Sequence, residues 1–173
     1  LTNSFAKDED WIRILKDKRS KFVKLKEKYI KSPNFDNSSF DDPLFSENSE
    51  TWTETREDQK LKEEIQKDVK RAFQELKYFQ IPETLQTLED ILFIFCKTHP
   101  EYGYPQGLHE IAAFPLYVMH EEMTLESNDT ISFIFSKTAV ISDAYSVFEA
   151  IAEYIEPFYS LSTSKYSKTY LVE

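Results

Sequence analysis

Glycine is nearly absent from this 173-residue chain, which has two, Gly103 and Gly107. Against a usual share of about 7%, that leaves little material for β-hairpin turns and favours helices. A single cysteine, Cys96, excludes an internal disulfide framework and fits a reducing compartment. It lies in the apolar run Ile91 to Cys96, where apolar surroundings raise a thiol pKa, so it reads as core and not as a nucleophile. No apolar run approaches the roughly 18 residues of a membrane span. Neither a signal-peptide h-region nor a starting Met is present, and the expectation is that residues precede Leu1. Excess positive charge is missing as well. The 21 Lys and Arg face 31 Asp and Glu, a formal net of −10 that disfavours nucleic acid as the main partner. His99, His109 and His120 share no helix face, so no metal site is expected. A phosphate-cradling loop and a serine–histidine spacing are also lacking. If the chain takes part in chemistry, it lacks the usual parts for doing it alone.

What is present reads as one packed domain. Hydrophobic content is 40%, with 15% aromatic, and the length suits a single core. Residues 8–30 form a basic helix, about Asp8 to Tyr29, capped by Asp8 or Asp10, with Trp11, Leu15, Phe22, Leu25 and Tyr29 on one face. Between Lys16 and Lys31 there are eight Lys/Arg against two acids, a net of +6. That stripe is either the solvated side of a helix or an attractor for an acidic partner or a membrane surface. Residues 32–50 read as an acidic loop punctuated by Phe35, Phe40, Leu44 and Phe45. Within it, Pro43 suits the second position of a turn and holds Leu44 outward. Leu44 either tucks back onto the domain or is a docking knob.

Residues 59–160 read as the helical core. A helix from about Gln59 to Leu76, capped by Asp58, carries Leu61, Ile65, Val69, Ala72, Phe73 and Leu76 on one side. Pro82 opens the next, with Leu85, Leu88, Leu92 and Phe95 as its face, and Thr98-His-Pro100 ends it. Another runs from about Leu108 to Met123, with a kink expected at Pro115. The stretch Thr130 to Phe135 suits a short strand or a buried helical turn. Ser142-Asp143 caps a last helix bearing Ala144, Tyr145, Phe148, Ile151, Ala152 and Ile155, stopped by Pro157. The tail from Ser160 to Tyr170 reads as exposed. The sum is an all-α domain of about six helices.

Two stretches stand apart from this scaffold. Both glycines flank Tyr104-Pro105-Gln106, so a special bend is needed there. Pro105 fixes its own φ and pushes Tyr104 out of the α region, which makes a stiff corner with Gln106 at its apex. An amide can orient a water or a carbonyl but cannot act as base or nucleophile. The plain alternative is a tight helix connection with a surface Gln. The second stretch is Asp68 and Arg71, three apart on the Gln59 to Leu76 helix, with Glu64 on the same flank. They are either an ordinary surface pair worth a few tenths of a kcal/mol, or an arginine steered by Asp68 toward a partner's anion.

Taken together, Ile65-Gln-Lys-Asp68-Val-Lys-Arg71 and Tyr104-Pro-Gln106-Gly107 resemble the IxxDxxR and YxQG signatures of the TBC domain. That domain is the GTPase-activating unit for Rab-type small GTPases. Order and separation match, and the likeness runs from about Trp11 to Ser160. Asp42-Pro43-Leu44, Gly107-Leu-His-Glu110 and Ser142-Asp-Ala-Tyr-Ser-Val-Phe148 are similar to the members associated with retromer and autophagy. Leu108 stands where most members carry Met, and Pro105 replaces a more ordinary residue. The resemblance implies a helical N-terminal subdomain, a domain fragment spanning residues 1–173, since no counterpart of the family's C-terminal helical half or of its early Arg-x-x-x-Trp segment is found. Weak stimulation from these residues alone is expected. It further implies that Arg71 and Gln106 act in trans as dual catalytic fingers, supported by Asp68, Ile65, Tyr104 and Gly107. GTP and Mg²⁺ are then carried by the partner GTPase, and this chain needs no cofactor. Retromer docking through Pro43 and Leu44, and a cytoplasmic site of action peripheral to endosomal membranes, are further implications. A TBC-like scaffold with idle fingers, binding a Rab or a trafficking coat, is the competing reading. A helical interaction domain with accidental motif matches is a third.

Overall fold

The computed structural model describes residues 8–30, 49–122 and 138–163, and every regular element among them is helical. In chain order these are α1 (Asp8–Tyr29), α2 (Ser49–Val69), a 3-10 turn (Lys77–Gln80), α3 (Pro82–Thr98), α4 (Leu108–Glu122) and α5 (Val140–Thr163). The all-α expectation holds. Phe35, Phe40, Pro43, Leu44, Phe45 and the ambiguous stretch from Thr130 to Phe135 lie outside the described residues.

α3 is the centre. Leu88, Ile91, Leu92, Ile94 and Phe95 are fully buried, and Phe93 and Cys96 nearly so. A helix apolar on all sides must be covered on all sides, and α1, α2, α4 and α5 each pack against it. Each such side chain contributes about 1.5–3 kcal/mol of burial before the entropy of ordering it is counted. Aromatic contacts hold the sides together. Phe95 meets Phe148 of α5 at 4.8 Å between ring centres, and Phe22 of α1 meets Tyr145 at 4.8 Å.

The basic stripe of α1 is partly internal. Arg19 grips both carboxylate oxygens of Asp143, Nε to Oδ1 at 2.8 Å and Nη2 to Oδ2 at 2.7 Å. Lys21 reaches Glu149 and Lys26 reaches Asp90, each at 3.0 Å. These three cations neutralise acids on α5 and α3 that are themselves nearly buried, which burial without a partner would make costly. Trp11 departs from the expected face and is 59% exposed. Half-burial begins one turn later, at Leu15, and recurs at Arg19.

α2 differs from expectation at both ends. It starts at Ser49, so residues 49–50 are helical and Asp58 is not a cap; Asp58 lies within the helix and accepts from Lys97 Nζ at 2.8 Å. No Gly or Pro interrupts residues 49–69. The helix ends at Val69, short of Leu76. From there the hydrogen bonds tighten to a spacing of three: Arg71 N to Asp68 O, Ala72 N to Val69 O, Leu76 N to Phe73 O and Phe79 N to Leu76 O. Apolar residues at 69, 72, 73, 76 and 79 satisfy this tighter winding as well as an α-helix through Leu76, so the pattern alone did not mark the break. Phe73 sits at φ +42, rare for a bulky residue, with its ring held against Phe79 at 5.7 Å.

α5 also begins early, at Val140, and continues past Pro157 to Thr163. Ser142 Oγ donates to the Ala139 carbonyl at 2.7 Å and Asp143 serves Arg19, so neither caps the helix. Among the described residues, Ala144, Tyr145, Phe148 and Ala152 anchor α5 in the core. α4 carries Pro115 inside it, buried.

Cys96 is a core thiol, as expected. Burial first, and then the charge of Glu64, push it from its ordinary value near 9.0 up to about 12. Burial also raises the Tyr145 hydroxyl. A raised native pKa gives stability that is intact below the unfolded value and is lost as pH climbs toward the native one. Stability should thus fall from about pH 9 upward, by up to about 1.4 kcal/mol per pH unit for the thiol, with Tyr145 adding from about pH 10. Urea midpoints between pH 7 and 11 measure this. Cys96→Ala should flatten the first part of the decline; an identical decline in both proteins would mean the thiol titrates alike folded and unfolded.

Candidate functional site

The glycine corner has the conformation the sequence called for. Gly103 has φ +63 and Gly107 has φ +93. A Cβ at either position would meet nothing within 4 Å, so backbone angle and not space demands glycine. The corner is tied at both ends. Cys96 Sγ donates to the Gly103 carbonyl at 3.4 Å, and the Gly107 carbonyl accepts from Glu110 N at 3.1 Å and Ile111 N at 3.4 Å in the first turn of α4. Gln106 is exposed at the apex. Gly107→Ala should cost roughly 1–3 kcal/mol of backbone strain, a fall of several degrees in Tm. Thermal melts test it, and an unchanged Tm would show the loop relaxing freely.

Arg71 is not on the helix that carries Ile65 and Asp68, which corrects the expected placement. It lies two residues beyond Val69, on the tightened segment. Ile65 is 1% exposed and fixes the end of α2 in the core. Asp68 is buried, whereas the Arg71 side chain is 68% exposed. Arg71 Nη2 donates to Asp68 Oδ1. The tether therefore starts inside the protein and the guanidinium ends outside it.

Two further groups face the same carboxylate. The Tyr104 hydroxyl is buried without a hydrogen-bond partner. Burial, followed by the Asp68 charge, holds its ionisation well above that of an ordinary phenol, so it remains a neutral donor. His109, buried in the first turn of α4, places Nδ1 3.7 Å from Asp68 Oδ2. The structure thus gathers Asp68, Arg71, Tyr104 and His109 around one carboxylate, with Gln106 and Gly107 on the adjoining corner. Pro43 and Leu44 lie outside the described residues. His109 escaped the sequence reading, which asked whether the histidines share a helix face with one another. Its partner is an aspartate on another helix, and the Gly107-Leu-His-Glu110 stretch was the available signal.

Among the described residues no helix is long and apolar enough to cross a membrane, and no three His, Cys, Asp or Glu side chains gather to hold a metal ion. Chemically, the arrangement presents a guanidinium and a side-chain amide, both hydrogen-bond donors.

Comparison with known proteins agrees with the signatures. The model of the Rab-GTPase-TBC domain matches residues 12–172. Human TBC1 domain family member 5 is 26% identical over 162 residues, covering 87% of this chain and 20% of its own length. The mouse protein of the same name is 27% identical over 162 residues with the same coverage. TBC1 domain family member 5 homolog B of Dictyostelium discoideum is 25% identical over 159 residues, covering 88% of this chain and 16% of its own. The chain thus spans a fifth or less of the length of these curated relatives. No solved structure matches. With the family match covering nearly the whole chain, and both signatures standing on one buried carboxylate and its adjoining corner, the chain belongs to the Rab-GTPase-TBC domain family.

Proposed function

We propose that this chain is the finger-bearing part of a GTPase-activating domain for a Rab-type small GTPase. The observation that carries the reading is the asymmetry of the Asp68–Arg71 pair, a buried carboxylate holding an exposed guanidinium. A surface pair made for stability alone has no need of a buried member. Arg71 enters the nucleotide site of the partner in trans. There it neutralises charge that develops on the phosphoryl oxygens as water attacks the γ-phosphorus and the bond to the β–γ bridging oxygen breaks, leaving GDP and inorganic phosphate. Gln106 orients the attacking water through its amide. Asp68 aims Arg71, Ile65 anchors that aim in the core, and Tyr104 and Gly107 set the corner. The catalysis is positional and electrostatic, with no proton taken by this chain. GTP and Mg²⁺ belong to the partner.

The test is single-turnover hydrolysis by a panel of GTP-loaded Rab-type GTPases, with the full-length protein and with its Arg71→Ala variant. Stimulation of at least one member, lost in the variant, supports the reading. Binding without stimulation leaves a scaffold.

A docking role for Leu44 toward retromer, on endosomal membranes, rests on the likeness of Asp42-Pro43-Leu44 to members with that association. Leu44→Asp should abolish retromer capture in a pull-down while leaving GTPase stimulation within about twofold, as surface changes away from a site usually do. Undiminished capture would reduce Leu44 to a loop residue.

A further inference from the structure

We propose that His109 is a positioning residue for Arg71, acting through Asp68 and coupling the arginine to the corner that carries Gln106. The proposal rests on the finger reading above. His109 is only 8% exposed, and its Nδ1 is buried with no hydrogen-bond partner. Leaving a buried polar nitrogen unmade is unfavourable, so such an atom marks either an unfinished contact or a function. The acceptor it faces is Asp68 Oδ2, at 3.7 Å. That is more than half an ångström beyond an ordinary N–H···O bond, and a sub-ångström shift of either side chain closes it.

The other oxygen of Asp68 is taken by Arg71. A carboxylate held through one oxygen swings broadly about its last torsion. Held through both, it has one plane, and the guanidinium bonded to it has one direction. The tautomer of His109 with its proton on Nδ1 supplies that second grip. The Tyr104 hydroxyl faces the same carboxylate from the corner, so Asp68 is approached from α4, from the corner and from its own chain. Position makes this more than local packing. His109 lies three residues after Gln106, and Leu108, Ala112, Ala113 and Leu116 seat α4 in the core. Gln106 stands before α4 on a corner that Leu108 N and the Gly107 carbonyl tie to the first turn, so a displacement of that turn reaches both the corner and His109, and Asp68 carries it to Arg71. The two fingers arise from separate elements, and this contact sets their relative aim.

The experiment uses the full-length protein and whichever Rab-type GTPase the panel identifies. His109→Leu fills the volume without a donor, and His109→Asn keeps an N–H near the place of Nδ1. His109→Leu should lower the saturated single-turnover rate by roughly 10–100-fold, the scale of groups that orient a functional side chain, with KM nearly unchanged. His109→Asn should recover most of that loss. In an Arg71→Ala background His109→Leu should add almost nothing, because its effect passes through Arg71. A loss that persists in that background, that His109→Asn shares in full, or that falls on KM alone would make His109 a packing residue. If Arg71→Ala itself costs nothing, the finger reading fails instead. A second readout then decides the present proposal without activity. The Arg71 Nε–H resonance, assigned by its disappearance in Arg71→Lys, should shift in His109→Leu and hold its place in His109→Asn. An unmoved resonance in His109→Leu would overturn the proposal.

Discussion

Arg71→Ala is expected to lower kcat for stimulated GTP hydrolysis by roughly 10²–10⁴, and Arg71→Lys by nearly as much. The lysine variant is the sharper test. It retains the charge and can still pair with Asp68, but it offers a compact ammonium in place of a planar fork that meets two oxygens at once. If charge alone sufficed, Lys would rescue. Stability should barely respond to the lysine change, which keeps the pair, and should fall somewhat with the alanine change, which strips the buried Asp68 of its cation. The lysine change should stay within about 0.5 kcal/mol, as surface substitutions that keep their contacts usually do. A large kinetic loss with an unchanged Tm in the lysine variant is what distinguishes a finger from a structural arginine. Single-turnover rates at saturating activator, beside thermal melts of the same preparations, measure both. A lysine variant with wild-type kcat would show that Arg71 contributes only a field, and a wild-type rate in the alanine variant would remove it from the site.

The scaffold under this site was largely legible before any coordinates, and the reasons are local. Two glycines in one corner announced positive φ, and both have it. Leu85, Leu88, Leu92 and Phe95 announced the inner face of a helix; Leu88, Leu92 and Phe95 are fully buried and Leu85 packs half-buried against the core. Illegible features depended on partners far along the chain. The end of α2 at Val69 is marked by no Gly or Pro; it is decided by the Phe73 ring on Phe79, and apolar spacings of three and four occur together there. The consequence reaches the candidate site, because Arg71 leaves a turn and not a helix face. Similarly, the cations of α1 read as a solvated stripe until Asp143, Glu149 and Asp90 arrive from 64 to 128 residues away. Periodicity reports which side of an element is buried. It does not report which charge on another element is buried beside it. The roles proposed for Arg71 and Gln106 rest on signature likeness, whereas the buried carboxylate that holds Arg71 emerged only with the fold.

Gln106→Ala is expected to lower kcat by a factor comparable to or somewhat smaller than the arginine loss, roughly 10²–10³, the scale of a single preorganised dipole in a transition state. Affinity for the GTPase should change little, because Gln106 is one exposed side chain on a corner whose shape is set by Gly103, Pro105 and Gly107. The backbone needs nothing from the amide, so the variant should keep its Tm. Arg71→Ala combined with Gln106→Ala should lose far less than the product of the single losses. If both groups serve one transition state, then once either is gone the other has less to stabilise. The partner supplies an independent check. GTPases of this class orient water with a glutamine of their own, and if Gln106 takes that task over, changing the partner's glutamine should cost little in the presence of activator. A large cost there would return water alignment to the GTPase. Side-by-side single-turnover traces for wild type and Gln106→Ala decide the matter, and equal rates would leave Gly103 to Gly107 a stiff corner that positions α4 and nothing more.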